Sequence, residues 1–267
     1  MGPKGDSAGA AGPATAYLRD YWPAFVLAGV SLVFFAAVAD LAWGVIVGAQ
    51  VHGLDRTVLA SLRGSSLSWL HPVLSLYTQL GEPIAAASIV LAVAAIVALL
   101  GRPGRALFLF AVPASGALVN TALKELVGRT RPPAMYADIR MPTSWSFPSG
   151  HAMFGLTFGL TLAIVVMVAI GWPRGLPVMV ALVFFGALLG YSRVFLGVHW
   201  FTDVLGGWSL ALAWVSVWCA GWFMLLVKRR HRMLREGPRA GSARPLVPPP
   251  APDHPGRQSA GAGFPSV

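Results

Sequence analysis

The sequence is poor in charged residues and in cysteine, and each shortage excludes a class of protein. Only 11% of its 267 positions are charged and 56% are hydrophobic, whereas an average soluble domain is about 25% charged. The chain is therefore not a soluble globular domain. Cys219 is the only cysteine, so an intrachain disulfide and a cysteine-based zinc site are excluded as well.

Acidic residues are also scarce, and the resulting excess of positive charge is concentrated at one end. The formal net charge is +10, and from Lys228 onward eight basic residues accompany only two acidic ones. Such a cluster beside an apolar run is typical of the cytoplasmic boundary of a membrane span, where it can also contact anionic lipid headgroups. We therefore expect a membrane protein with no nucleic-acid partner.

The hydrophobic residues form six long runs, and the mean hydropathy of the chain is +0.66. Each run is long enough to cross about 30 Å of hydrocarbon as a helix, and none alternates with the period of a strand. The sequence thus predicts an all-α, polytopic membrane protein with six transmembrane helices in a bundle. The runs are Trp22–Val47, Pro83–Leu100, Ala106–Leu126, His151–Ile170, Leu176–Phe195 and Phe201–Val227.

These runs divide the chain into three parts. We predict a disordered N-terminal tail over residues 1–21, a transmembrane domain over residues 22–227, and a cytoplasmic tail over residues 228–267 that is basic and then disordered and rich in proline and glycine. The segment Asp55–Glu82 is amphipathic but too interrupted by polar residues to span, so we expect it to lie in the interface or over the bundle.

The first run has an alternative interpretation as a cleaved signal peptide. Ala37-Val38-Ala39 offers the small residues that a signal peptidase needs. However, the apolar run resumes after Asp40 and continues to Val47. This favours a retained transmembrane helix.

The basic residues of the loops indicate the orientation in the membrane. With six spans both termini share a side, and the basic tail shares that side with Arg19, Arg102, Arg105 and Arg174. The bias of Lys and Arg makes this side cytoplasmic. The opposite face nevertheless carries many cations, which suggests that they bind an anion there.

Three polar clusters are expected to meet on that outer face, because successive spans alternate in direction. The first follows the third span, from Lys124 to Arg131 and Pro132. The second, Pro148-Ser149-Gly150-His151, begins the fourth span. The third contains Ser192 and Arg193 at the end of the fifth span, with His199 and Asp203 at the start of the sixth.

The third cluster places two titratable residues on one helix face. His199 and Asp203 are four residues apart, so the carboxylate can accept a proton from one imidazole nitrogen. The other nitrogen then has a free lone pair, as a nucleophile or a base requires. A purely structural His–Asp pair on a helix surface has the same spacing.

The other two clusters contribute anion-binding groups. Ser149 is a good N-cap, and the unpaired amides and the dipole of the helix that follows favour an anion. His151, just after it, is placed to give a proton to a leaving oxygen. Lys124 and Arg131 would add positive charge, although basic side chains at a helix end also snorkel to the membrane surface without any other role.

Two histidines and an aspartate could instead ligate zinc. Lys124, Arg131 and Arg193 argue against this alternative, because fixed cations repel Zn²⁺ while they bind an oxyanion well. In phosphoryl transfer these side chains would supply the charge that a metal otherwise supplies. We therefore predict a site without a metal or a cofactor.

The motifs Lys-x6-Arg-Pro, Pro-Ser-Gly-His and Ser-Arg-x5-His-x3-Asp, in this order, resemble the signature of the type 2 phosphatidic acid phosphatase (PAP2) superfamily. The resemblance implies that His199 is a nucleophile that forms a phosphohistidine, that Asp203 orients it, and that His151 is the general acid. It also implies a set of groups that hold the phosphoryl oxygens, namely Lys124, Arg131, Ser149, Gly150 and Arg193.

By this resemblance the chain is expected to be an integral membrane lipid phosphatase of the cell envelope. The charge bias of the loops predicts that both termini are cytoplasmic and that the active site faces the periplasm or exterior. Its partners would be the membrane and a lipid phosphate of the phosphatidate or phosphatidylglycerophosphate type, with no obligate protein partner. An undecaprenyl or polyprenyl diphosphate phosphatase is the alternative. A catalytically idle lipid-binding or scaffold protein would be expected to have lost some of these side chains. A haloperoxidase, which shares the anion site, is not expected to span a membrane.

Overall fold

A computed structural model describes residues 13–48, 51–63 and 66–236. Within these ranges the chain forms eight α-helices and no strand, and the helices are joined by loops, three of which contain a 3₁₀ turn. The helices are α1 (Pro13–Val47), α2 (Val51–Arg63), α3 (His71–Tyr77), α4 (Pro83–Leu99), α5 (Pro103–Val127), α6 (Gly150–Ile170), α7 (Trp172–Phe195) and α8 (Phe201–Glu236). The predicted all-α fold is confirmed.

Five helices are long and apolar enough to cross a membrane. They are α1 from Arg19, α5, α6, α7, and α8 to Arg235. The expected second span is different, because α4 has only 17 residues. It reaches the length of a span only together with Ser68–Gly81, from which it is bent by 63°. By length and hydropathy, five of the described helices could span the membrane, or six if this bent pair forms one span.

The helices extend beyond the predicted boundaries at both ends. α1 begins at Pro13, so residues 13–21 are helical where we expected disorder. α8 continues to Glu236, nine residues past the predicted end of the last span. The chain divides into two units, Met1–Val227 and Lys228–Val267. The disorder expected for residues 1–12 and 237–267 lies outside the described residues.

The core of the first unit is built around α6, which packs most extensively against α7 and also against α5. The contact between α6 and α7 depends on glycine. A Cβ atom on Gly155 would lie 2.3 Å from the carbonyl oxygen of Gly186, and one on Gly159 would lie 2.7 Å from that of Leu182. Glycine thus allows the two backbones to touch, which holds the start of α6 and the end of α7 at a fixed separation.

Candidate active site

The start of α6 has the geometry that its sequence predicts. Ser149 is the N-cap residue, and its side chain accepts a hydrogen bond from the amide of Ala152 at 3.5 Å. The amide of Ser149 in turn donates to the carbonyl oxygen of Asp203 at 2.9 Å. The positive end of α6 is therefore held next to the start of α8.

His199 and Asp203 are paired as expected. The Nδ1 atom of His199 lies 3.2 Å from Oδ2 of Asp203, and both side chains are almost completely buried. The same carboxylate oxygen accepts hydrogen bonds from the backbone amide of Trp200 at 2.9 Å and from the hydroxyl of Ser146. Asp203 is thus rigidly placed, and it orients the imidazole ring.

Lys124, Arg131 and Arg193 come together around His199. Lys124 Nζ donates to the carbonyl oxygen of Trp145 at 2.6 Å. Arg131 donates through Nη1 to the carbonyl oxygen of Val198 at 2.8 Å, and the same Nη1 lies 2.9 Å from Nε2 of His199. Arg193 is 1% exposed and donates to the hydroxyl of Thr78 at 3.0 Å. The three cations converge on a site that suits an oxyanion.

The surroundings of His199 change its acid–base properties. Burial, together with the positive charges of Arg131, Lys124 and Arg193, holds the pKa of His199 well below its ordinary value of 6.5. Burial also lowers the pKa of Arg131, while the negative charge of Asp203 opposes this shift. At neutral pH His199 is therefore uncharged, and one ring nitrogen has a lone pair for nucleophilic attack.

His151 lies at the opposite side of this group of cations. Its ring is in contact with Gly81, where a Cβ atom would lie 2.3 Å from Cδ2 of His151. Within the described ranges its Nε2 atom is buried without a hydrogen bond, and an oxygen of Glu82 lies 3.5 Å away. Glu82 is also 3.9 Å from Nη1 of Arg193. His151 thus has a nitrogen available to a bound ligand.

A cavity of about 550 Å³ joins these residues to an apolar groove. One end of the cavity is polar, and six of the predicted site residues contribute to its wall. These are Lys124, Arg131, Gly150, His151, Arg193 and His199. The other end runs between α4 and α5, where small and apolar side chains such as Ala87, Leu91 and Ala117 line it. An anionic group with an apolar tail fits this combination.

Two buried residues of this region were not predicted from the sequence. Arg129 lies two positions before Arg131 and donates to Oδ1 of Asp203 at 2.5 Å. Asp55, on α2, accepts from Arg129 at 2.5 Å. Arg129 is one of the six unspecified residues of the Lys-x6-Arg-Pro motif, and its partner Asp55 is 74 positions away in sequence. No local pattern connects the two.

The zinc alternative can also be examined in the structure. In the part of the chain that the structure describes, no group of three or more His, Cys, Asp or Glu side chains is arranged as metal ligands would be. Besides its contact with His199, Asp203 already accepts hydrogen bonds from three donors, in Arg129, Ser146 and Trp200, and three cations surround His199. This donor set fits an oxyanion better than a divalent metal.

Comparisons with known proteins show the family to which the chain belongs. The model of the PAP2 superfamily matches residues 105–229, which contain all the predicted site residues. Phosphatidylglycerophosphatase B of Bacillus subtilis is 32% identical over 146 residues, which are 54% of this chain and 71% of that protein. The chain belongs to the PAP2 superfamily. Its resemblance to that superfamily, predicted from three motifs, is confirmed.

Further members of the superfamily match this PAP2 protein. The undecaprenyl-diphosphatase of Sulfolobus acidocaldarius is 40% identical over 75 residues, which are 28% of this chain and 32% of that protein. The crystal structure of a transmembrane PAP2-type phosphatidylglycerolphosphate phosphatase from Bacillus subtilis superimposes with a TM-score of 0.65. Its sequence is 27% identical to this one, and the match covers 74% of this chain and 98% of the chain in the crystal structure. The expected integral membrane lipid phosphatase is thereby confirmed.

Proposed function

We propose that this PAP2 lipid phosphatase hydrolyses a phosphate monoester or diphosphate of a lipid through a phosphohistidine on His199. The observation that carries the proposal is the arrangement around the His199 ring. Nδ1 faces the carboxylate of Asp203 at 3.2 Å, and Nε2 points to the polar end of the cavity beside Arg131. A neutral imidazole oriented in this way is a competent nucleophile.

In the first step the lone pair of Nε2 attacks phosphorus while the bond to the leaving oxygen breaks. The developing charge on the phosphoryl oxygens is stabilised by Lys124, Arg131 and Arg193, together with the amides at the start of α6 beside Ser149 and Gly150. His151 gives its proton to the leaving oxygen. Asp203 holds the Nδ1 proton and stabilises the positive charge of the phosphorylated ring.

In the second step water replaces His199 on phosphorus. His151, now neutral, takes a proton from the water molecule whose oxygen attacks phosphorus. The bond between phosphorus and Nε2 breaks, and its electron pair returns to the ring of His199. Inorganic phosphate leaves and both histidines regain their starting states. These two steps require neither a metal nor another cofactor, and they require no obligate protein partner.

The groove between α4 and α5 supports a lipid substrate. Its apolar wall is continuous with the polar end of the cavity, so a phosphate at His199 leaves its apolar chain between these helices. We favour a substrate of the phosphatidate or phosphatidylglycerophosphate type, because phosphatidylglycerophosphatase B of Bacillus subtilis is similar to this chain over 146 residues. An undecaprenyl or polyprenyl diphosphate is the second candidate, because another relative is an undecaprenyl-diphosphatase.

We also propose that both termini are cytoplasmic and that the site faces the periplasm or the cell exterior. The basic cluster from Lys228 to Arg235 supports this orientation, as do Arg102, Arg105 and Arg174 in the two short loops. The positive charges around His199 are on the side that this orientation places outside the cytoplasm, so by number alone they oppose it. They have an alternative reason to be there, since they bind phosphate.

The test is phosphate release by purified protein in detergent from phosphatidate, phosphatidylglycerophosphate and undecaprenyl diphosphate. It is combined with alkaline trapping of a ³²P-labelled intermediate. We expect His199→Ala to abolish both turnover and label. Asp203→Asn should retain a small activity, because it loses orientation and charge but not the reacting atom; the corresponding change lowers kcat by about 10⁴-fold in serine protease triads.

Two further variants complete this experiment. His151→Ala should slow turnover most for substrates with poor leaving groups, because the lost group is the proton donor. His231→Ala, in the unit that begins at Lys228, is the matched histidine control and should behave as wild type. Turnover and labelling of His199→Ala at the wild-type level would refute the proposal.

A further inference from the structure

Helix α2 is amphipathic, and one residue of its inner face is a carboxylate. The residues that it turns inward are Asp55, Val58, Leu59 and Leu62, whose spacing is that of one helix face. Val58 and Leu62 pack against the cluster of Ala152, Val194 and Val204. Asp55 stands in line with these apolar side chains and is 1% exposed. A carboxylate in such a position requires partners.

The partners of Asp55 lie at the start of α8 and just after α5. Its Oδ1 atom accepts from the backbone amide of Thr202 at 2.9 Å, which satisfies one of the free amides of the first turn of α8. Its Oδ2 atom accepts from the hydroxyl of Thr202 at 2.8 Å and from Nη2 of Arg129 at 2.5 Å. Asp55, which is on α2, thus caps the N-terminus of α8, where Asp203 is located.

Arg129 connects Asp55 to the proposed catalytic pair. Its Nη1 atom donates to Oδ1 of Asp203 at 2.5 Å and to the hydroxyl of Thr202 at 2.7 Å. The side chain of Arg129 is 3% exposed, and those of Asp55 and Asp203 are fully buried. One guanidinium therefore bridges two carboxylates away from water, in the geometry that arginine favours.

Asp55, Arg129 and Asp203 together carry a net charge of one negative unit. If Arg129 faced Asp203 alone, the pair would be neutral, and Asp203 would attract a positive His199 less strongly. Asp55 balances Arg129, so the charge of Asp203 remains available to the imidazole ring on its other side. This matters when His199 becomes positively charged on attacking phosphorus.

We propose that Asp55 and Arg129 are positioning residues that act through Asp203. Arg129 fixes the carboxylate, and the charge of Asp55 preserves the stabilisation that Asp203 gives to phosphorylated His199. The inference rests on the proposed function, in which His199 is the nucleophile. The alternative is that Asp55 only anchors α2 to the bundle, in which case its charge has no effect on the rate.

The experiment measures the rate constant of phosphohistidine formation in a single turnover, together with KM and the melting temperature in detergent. A first-order rate constant describes the folded molecules only, so partial unfolding of a variant does not change it. Asp55→Asn keeps the shape of the side chain and removes its charge. We expect this rate constant to fall about 10-fold or more while KM changes little, because the loss occurs in the transition state.

The double variant Asp55→Asn/Arg129→Gln distinguishes charge from anchoring. It removes both compensating charges and leaves Asp203 with its own. We expect it to form phosphohistidine about three-fold faster than Asp55→Asn alone, which is non-additive behaviour of coupled groups. Arg129→Lys keeps the positive charge but cannot contact both carboxylates as the guanidinium does. It should therefore also form phosphohistidine slowly. If Asp55 only anchors α2 to the bundle, the double variant should form phosphohistidine no faster than Asp55→Asn.

The matched control loosens α2 without changing the charge at the site. Asp138→Asn removes the partly exposed ion pair with Arg63 at the far end of α2, whose N–O distance is 2.9 Å. Its rate constant should equal that of wild type. His199→Ala is measured in parallel. If His199→Ala is active, the proposed function fails. If it is inactive but Asp55→Asn is as fast as wild type, only the role of Asp55 and Arg129 is refuted.

Discussion

Nη1 of Arg131 lies 2.9 Å from Nε2 of His199. A guanidinium has only donors, so Nε2 accepts this hydrogen bond and has the lone pair, while the ring proton is on Nδ1 toward Asp203. The cation thus lies at the nitrogen that is proposed to attack phosphorus. A phosphoryl group entering the site would exchange this contact for one between Arg131 and a phosphoryl oxygen.

The state of His199 leads to a prediction for stability. In the unfolded chain this residue is protonated as the pH falls through about 6.5, whereas in the folded protein its depressed pKa keeps it neutral. Its contribution to the free energy of unfolding is therefore complete above pH 6.5 and is lost as the pH falls from 6.5 toward the folded pKa.

Melting temperatures in detergent, measured from about pH 7.5 to about pH 5, test this prediction. Wild type should lose more thermal stability over this interval than His199→Asn, whose side chain does not titrate. The other titrating groups are common to both proteins, so the difference between the two curves reports on His199. Parallel curves would contradict the depressed pKa.

Vanadate should inhibit the enzyme, whereas removal of metal ions should leave its activity unchanged. Because Lys124, Arg131 and Arg193 supply the positive charge, we expect turnover to be unchanged by EDTA. Vanadate should inhibit competitively, since its trigonal-bipyramidal form resembles the transition state of phosphoryl transfer. Phosphate release is the measurement in both cases. Loss of activity in EDTA that added Zn²⁺ restores would instead favour the metal site.

The contact between α6 and α7 should be intolerant of any side chain. A Cβ atom on Gly186 would lie 2.3 Å from the carbonyl oxygen of Gly155, so Gly186→Ala has to push the two backbones apart. We expect a loss of about 1–3 kcal/mol, as is typical of overpacked interiors. Gly221→Ala, on α8, is the control because a Cβ atom there would have nothing within 4 Å. Equal melting temperatures of the two variants would contradict this account.

The orientation in the membrane can be tested with single cysteines. In a Cys219→Ala background, cysteines replace Ala137, in the loop before α6, and Ala243, which lies outside the described residues. An impermeant maleimide applied to intact cells should label position 137 and not position 243, because the basic tail is expected in the cytoplasm. The reverse pattern would overturn the proposed orientation.

Local patterns in the sequence were sufficient for much of this structure. The serine at position 149 is followed by an apolar run, and it caps α6 as expected. The spacing of four between His199 and Asp203 predicts that they meet, and their side chains are in contact, although His199 lies in the turn just before α8 and not on the helix itself. Both predictions depend on neighbours within one helical turn, where geometry follows directly from sequence.

The parts that were missed depend on long-range contacts. Asp55 lies in an interrupted amphipathic segment, and only the folded chain shows that its inner face meets α8. Glu82 reaches His151 across 69 positions for a similar reason. The helix boundaries shifted because residues 13–21 continue α1 without an apolar run, and hydropathy alone does not detect such an extension.

The apolar groove is lined on α4 and α5 by four alanines, Ala86, Ala87, Ala114 and Ala117. Their side chains are single methyl groups, so the width of the groove is set by the spacing of two helix backbones. The two histidines of the site come from α6 and from the turn before α8. In the proposed function the hydrocarbon tail lies between α4 and α5, whereas the two histidines that react lie outside these two helices. A new tail preference can be evolved or engineered by enlarging one of these methyl groups, while the reaction centre remains unchanged.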